Sequence, residues 1–185
     1  LDADISLLPQ DNNEIVADME KIDIKKHKFA PKRLAGMPKF GPMKKAKLPG
    51  YLGKMKSKRL HSTNLIDVSD NHAIVFYWRD GEVLSDTAFF AALFNKLQDG
   101  NVYPLFEFHW HPSHKGFHCK TPCGSPLDYT NRSLPKAVEL GMTTKAHLDP
   151  RNASHRVELV HVVCRACNIA LGPCDQDGLQ GDIWN

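Results

Sequence analysis

Glu107, His109, His111, His114 and His118 place one carboxylate and four imidazoles within twelve consecutive positions. Imidazole gains and loses its proton near neutral pH, and imidazole together with carboxylate can hold a hard cation. The run YPLFEFHWHP reads as a strand, whose side chains alternate between faces. Phe106, Phe108 and Trp110 then point to a core. Glu107, His109 and His111 point the other way, about 6–7 Å apart along the chain, and His114 and His118 follow in a loop. Such a face suits proton transfer or metal binding. The plain alternative is a solvated strand face on which the histidines have no joint role.

The five cysteines offer a second chemistry. Cys119-x3-Cys123 and Cys164-x2-Cys167 form two close pairs far apart in sequence, with Cys174 left over. An odd count fits a disulfide framework poorly. Two pairs on tight turns can supply four thiolates to one tetrahedral zinc, a structural role that needs no open coordination position. That reading implies folding in a reducing compartment. Buried thiols packed as small hydrophobes, or a catalytic thiol, are the alternatives.

Elements must position these groups. HAIVFYWRDGEVLS reads as a strand, a turn at Asp80-Gly81 and a second short strand. SDTAFFAALFNKLQDG reads as the main helix, capped by Ser85 or Asp86 and followed by Gly100, with Phe89, Phe90, Leu93, Phe94 and Leu97 on one face. NRSLPKAVELG predicts a short helix over Ser133–Leu140. MTTKAHL and VELVHVV predict two strands joined by DPRNASH, and CRACNIALG predicts a closing helix.

Charge is unevenly distributed behind a formal net value of +3. Residues 1–20 hold six acids and no Lys or Arg, whereas residues 21–60 hold fourteen Lys or Arg and one acid, Asp23. DIKKHKFAPKRLAGMPKFGPMKKAKLPGYLGKMKSKR, with Pro or Gly every few positions and no sustained period, reads as an extended basic arm; residues 1–63 are expected to be extended and largely irregular, and order is expected from about residue 64. A polyanion such as nucleic acid is the expected partner of residues 21–60, each cation neutralising a phosphate; a solubilising linker is the plain alternative. No apolar run approaches the roughly 20 residues of a membrane span. No secretory signal is recognisable at the start, and the leading Leu suggests a piece of a longer chain.

The segment KAHLDPRNASHRVELVHVVCRACNIALG, residues 145–172, resembles the HNH endonucleases of the His-Me-finger group. It carries a Cys-x2-Cys-Asn after a hydrophobic run, and the earlier cysteine pair lies upstream. The resemblance implies a ββα hairpin and helix stapled by zinc on Cys119, Cys123, Cys164 and Cys167. It implies His147 as the base that activates water, with Asn168 as closing ligand or anchor, and a catalytic divalent cation (Mg, Mn or Zn) on the scissile phosphate. Ala146 stands where the family has Asp, so Asp149 is the substitute candidate, and Asn152 and His155 are candidates in the connecting loop. By analogy with bacterial polymorphic toxins, it also implies an exported effector acting in the cytoplasm and held by an inhibitor or immunity protein.

Together these readings predict an α+β fold: a small mixed sheet with one main helix over residues 64–185, ending in the zinc-stapled ββα unit. The expected activity is metal-dependent cleavage of DNA or RNA. One alternative is a zinc-stabilised nucleic-acid or protein binding module without catalysis. The other is a thiol hydrolase using Cys119 with His147 or His118 as base.

Overall fold

The computed structural model describes residues 24–55, 57–112, 117–120 and 148–172. The fold is α+β, mostly sheet with one main helix. In chain order the elements are α1 (Ile24–Phe29), β1 (Lys32–Leu34), β2 (Gly41–Pro42), α2 (Gly50–Lys54), β3 (Leu60–Ser62), β4 (Ile66–Ser69), β5 (His72–Arg79), β6 (Ala88–Lys96), β7 (Val102–Trp110), β8 (Phe117–Lys120), α3 (Ala153–Ala166) and β9 (Ile169–Leu171). Short 3-10 turns at Met43–Lys45 and Leu84–Asp86 complete them. No helix among the described residues is long and apolar enough to cross a membrane.

Seven strands form one sheet in the order β2-β3-β5-β6-β7-β8, with β4 also on β5. Every pairing in it is antiparallel, whereas β1 and β9 form a separate parallel pair. β3 and β4 share one edge of β5, opposite Tyr77–Arg79 and His72–Ile74 respectively. Thr63 fills the gap between them. Its backbone N–H donates to the Phe76 carbonyl at 2.9 Å, and its hydroxyl oxygen accepts from the Phe76 N–H at 3.2 Å. Phe76 thus keeps its ladder bonds where no strand faces it.

Alternation along the central strands makes two cores. Ile74, Phe76, Trp78, Phe89, Ala91, Leu93, Phe108 and Trp110 face α3, which presents Leu159, Val160, Val163 and Cys164, with Cys167 just past its end. Val75, Tyr77, Ala92 and Phe94 face the other way and pack with Met43 and Leu52.

Several sequence-based expectations change here. Residues 88–96 form a strand, not the main helix: β6 is central and buried on both faces, so its apolar run is continuous and carries no period that separates strand from helix. Residues 157–163, expected as a strand, are helical. Asn152 caps α3 by accepting the Ser154 N–H, and buried positions recur with the helical period. Four valines in that helix forfeit about 0.5 kcal/mol each in propensity; burying one apolar side chain returns about 1.5–3 kcal/mol. The closing helix expected from Cys164 is instead the end of α3 followed by β9. After Asp80-Gly81 comes the 3-10 turn rather than a short strand. Order also begins well before residue 64. Residues 24–62 supply α1, β1, β2, α2 and β3, because their sparse apolar residues Leu34, Met43, Leu52 and Leu60 each find a buried place. The helix expected over Ser133–Leu140 and the strand over Met142–Leu148 lie outside the described residues, apart from Leu148.

Candidate active site on the sheet face

Glu107 and His109 stand two residues apart on β7, on the face turned away from α3. Their side chains meet: His109 Nε2 lies 3.1 Å from Glu107 Oε2, and each side chain is 14% exposed. His111 continues the same face just past the strand, its ring centroid 6.0 Å from that of His109 at 74°.

Neighbouring strands hold this trio in place. Register sets Phe90 of β6 directly opposite His109 and Ala92 opposite Glu107. The small Ala92 leaves room beside the carboxylate, while Phe90 is a floor for both imidazoles: His109 stands on it at 4.9 Å and 81°, His111 at 5.6 Å and 85°. Edge-on contact of this kind turns the positive rim of one ring to the negative face of the other. Phe90 in turn stacks on Tyr77 of β5 at 4.7 Å and 13°. Tyr77 is 1% exposed. Burial pushes its phenol well above the usual range, and the Glu107 carboxylate, which accepts its hydrogen bond, pushes further. The result is a chain from Tyr77 O–H to Glu107 to His109, with His111 alongside. An imidazole backed by a carboxylate is held in one tautomer and one orientation.

Of the other residues expected in this cluster, His118 lies on β8 as the register partner of His109, and only its backbone is described. His114 lies outside the described residues. Tyr77 and Phe90 had not been expected at the site. Their signal was cross-strand register, visible only once β6 is recognised as a strand.

Of the residues suggested by the nuclease resemblance, Asp149, Asn152, His155, Cys164, Cys167 and Asn168 sit elsewhere. His147 and Cys123 lie outside the described residues. Asp149, Asn152 and His155 gather at the start of α3. The Asp149 carboxylate grips Arg151 at 3.0 Å (Nε) and 2.8 Å (Nη2), which holds it below the usual carboxylate range. The Asp149 N–H donates to His155 Nδ1 at 2.9 Å, and Asn152 is the helix cap. Asn168 follows α3 with φ 53° and donates from Nδ2 to the Phe29 carbonyl at 2.7 Å. Cys164 and Cys167 are buried against the sheet, and burial pushes the Cys164 thiol up to about 12. Cys119 is described only by its backbone in β8, opposite Phe108. No group of three or more His, Cys, Asp or Glu that could hold a metal ion is present among the described residues. The described part of the cysteine set therefore does not by itself make a zinc site.

Comparison of the chain with known protein families, with curated proteins and with solved structures finds no match.

Proposed function

We propose that the chain cleaves nucleic-acid phosphodiesters by general acid–base catalysis at the face formed by Glu107, His109 and His111. The observation that carries this reading is the 3.1 Å contact between Glu107 and His109 with a second imidazole 6.0 Å away on the same aromatic floor. Glu107 orients His109 and steadies its imidazolium, and His111 is the complementary proton carrier. General acid–base assistance of this type contributes about 10²–10⁴-fold to a rate.

The substrate class is supported by charge. The segment that seals the same side of the sheet, anchored by Met43, Leu48 and Leu52, carries Lys44, Lys45, Lys47 and Lys54 exposed. A polyanionic chain drawn to these lysines is brought to the side of the sheet that bears the histidines, without its sequence being read.

The test is incubation of the full chain with RNA and DNA oligonucleotides over a range of salt. Cleavage that weakens with salt and drops at least a hundredfold in both His109→Ala and His111→Ala is expected. Cleavage of neither polymer, or cleavage undiminished in both variants, would refute the reading.

A further inference from the structure

We propose that the cleft between residues 37–40 and the first turns of α3 binds a small monocarboxylate with an aromatic or branched aliphatic body. The site is independent of the proposed reaction: α3 covers one face of the sheet, and Glu107 and His109 stand on the other.

Helical spacing builds one wall. Ala153, Arg156, Val157 and Val160 recur at the three- and four-residue steps that share a helix face, and Met37, Pro38 and Phe40 stand across from them. The cavity measures about 200 Å³. Val160 is fully buried and Val157 is 36% exposed, so the cleft runs from the core to the surface. Its lining is apolar except for the Arg156 guanidinium.

That guanidinium is fixed in place and only half used. It lies 4.9 Å from the ring centroid of Trp78 and 5.7 Å from that of Phe40. Nη1 donates to the carbonyls of Pro150 at 2.6 Å and Arg151 at 2.8 Å. Nε and Nη2 form the other edge, whose two parallel donors match the two oxygens of a carboxylate. Among the described residues that edge makes no hydrogen bond, and Arg156 has no ion pair. The charge of Asp149 reaches Arg156, but its carboxylate is gripped by Arg151. Burial lowers the Arg156 pKa from its ordinary value, with Asp149 opposing, so the cation lacks full compensation.

One cation with an open bidentate edge in an apolar cleft selects an apolar body carrying a single carboxylate. A doubly charged phosphate would leave one charge unpaired against apolar walls. A peptide terminus would bring a main-chain amide for which these walls hold no partner. Size sets the body: a cavity of about 150 Å³ with aliphatic and aromatic walls holds benzene, so this one holds a single ring or a branched chain of like bulk.

The experiment titrates the isotope-labelled full chain with phenylpropanoate, phenylpropanamide and phenylpropylamine, followed by NMR. The acid should bind with a Kd of about 1 mM or tighter. It should shift the backbone amides of Phe40 and Val157 more than that of Phe90, and bind at least about tenfold more tightly than its amide; the amine should shift none of them. Val157→Glu sets a like charge at the exposed rim and should weaken the acid at least about tenfold while sparing the amide. The spectrum of the free variant reports directly that it is folded. A short peptide ending in Phe with a free carboxylate should bind more weakly than phenylpropanoate. Equal binding of acid and amide, shifts centred away from residues 37–40 and 153–160, tighter binding of the peptide, or no shift at about 10 mM acid would each overturn the proposal.

Discussion

The Lys32 ammonium donates to the Cys167 carbonyl at 2.9 Å, across 135 positions of sequence. It also donates to the carbonyls of His27 at 2.7 Å and Ala30 at 2.6 Å, and Lys32 is only 5% exposed. One cation therefore ties the end of α1, the start of β1 and the C-terminal end of α3, where the helix carbonyls favour positive charge. Lys32→Met would leave three carbonyls without this donor. Each buried unsatisfied polar group costs about 1–3 kcal/mol, so a loss of about 2–4 kcal/mol is expected once partial access of water is allowed for. Lys39→Met, at an exposed lysine, should change stability by less than about 0.5 kcal/mol. Urea unfolding of the two variants side by side checks this; equal midpoints would contradict it.

A second prediction concerns acid. His27 Nδ1 lies 2.9 Å from His72 Nε2, and the Ser69 hydroxyl lies 2.8 Å from His72 Nδ1. Burial, then the Lys32 charge, then His27 push His72 down to about 4 from its ordinary 6.5. The folded state thus binds fewer protons than the unfolded one in this window. The contribution is complete above pH 6.5 and is lost as pH falls from 6.5 toward 4. Stability measured between pH 7 and 4 should decline over that interval, and His72→Gln should flatten the decline. A slope unchanged in the variant would place the acid sensitivity elsewhere.

How much of this could be read from the chain differs by element, for physical reasons. β5 and β7 were legible: β-branched and aromatic residues dominate HAIVFYWR, and alternation places Glu107 and His109 on one face of β7. β6 was not, since one of its faces packs under α3 alongside Ile74, Phe76 and Trp78 and the other packs alongside Val75 and Tyr77 with Met43, so it has no polar face to reveal a period of two. α3 was misread because its valines favour strand locally, while the sheet it covers decides the outcome. The site follows the same pattern. Its residues on β7 were visible as a sequence cluster, but Tyr77 and Phe90 reach it only through pairing register, a long-range property.

Thr63 gives a third prediction. It is 1% exposed, and its hydroxyl accepts the buried Phe76 N–H while donating to the Asn64 carbonyl at 2.7 Å. Thr63→Val keeps the shape and removes both bonds. The orphaned N–H should cost about 1–3 kcal/mol, and amide exchange of Phe76 should accelerate more than that of Ile74, whose strand partner Ile66 is untouched. Uniform acceleration across β5 would mean that the hydroxyl has no local role.

Gly172 gives a fourth. Its N–H donates to the Leu34 carbonyl at 2.7 Å, and a Cβ there would meet the Ala35 carbonyl oxygen inside van der Waals contact. Gly172→Ala must push β1 and β9 apart, because the obstacle is backbone and cannot rotate away. Overpacking of this kind costs about 1–3 kcal/mol. Gly36→Ala, where a Cβ meets nothing within 4 Å, is the control and should be close to neutral. Thermal unfolding separates the two.

The last prediction tests the order of the chain from Tyr77 to His109. Tyr77 is buried and its hydroxyl donates a hydrogen bond to Glu107, which contacts His109 at 3.1 Å. Tyr77→Phe removes that donor and leaves the carboxylate less firmly placed against His109, so the rate should fall by about tenfold or less. Glu107→Gln should be worse, by about 10²-fold, because the carboxylate itself is gone. If Tyr77→Phe left the rate unchanged, the hydroxyl would be packing the core under Phe90 and not positioning Glu107.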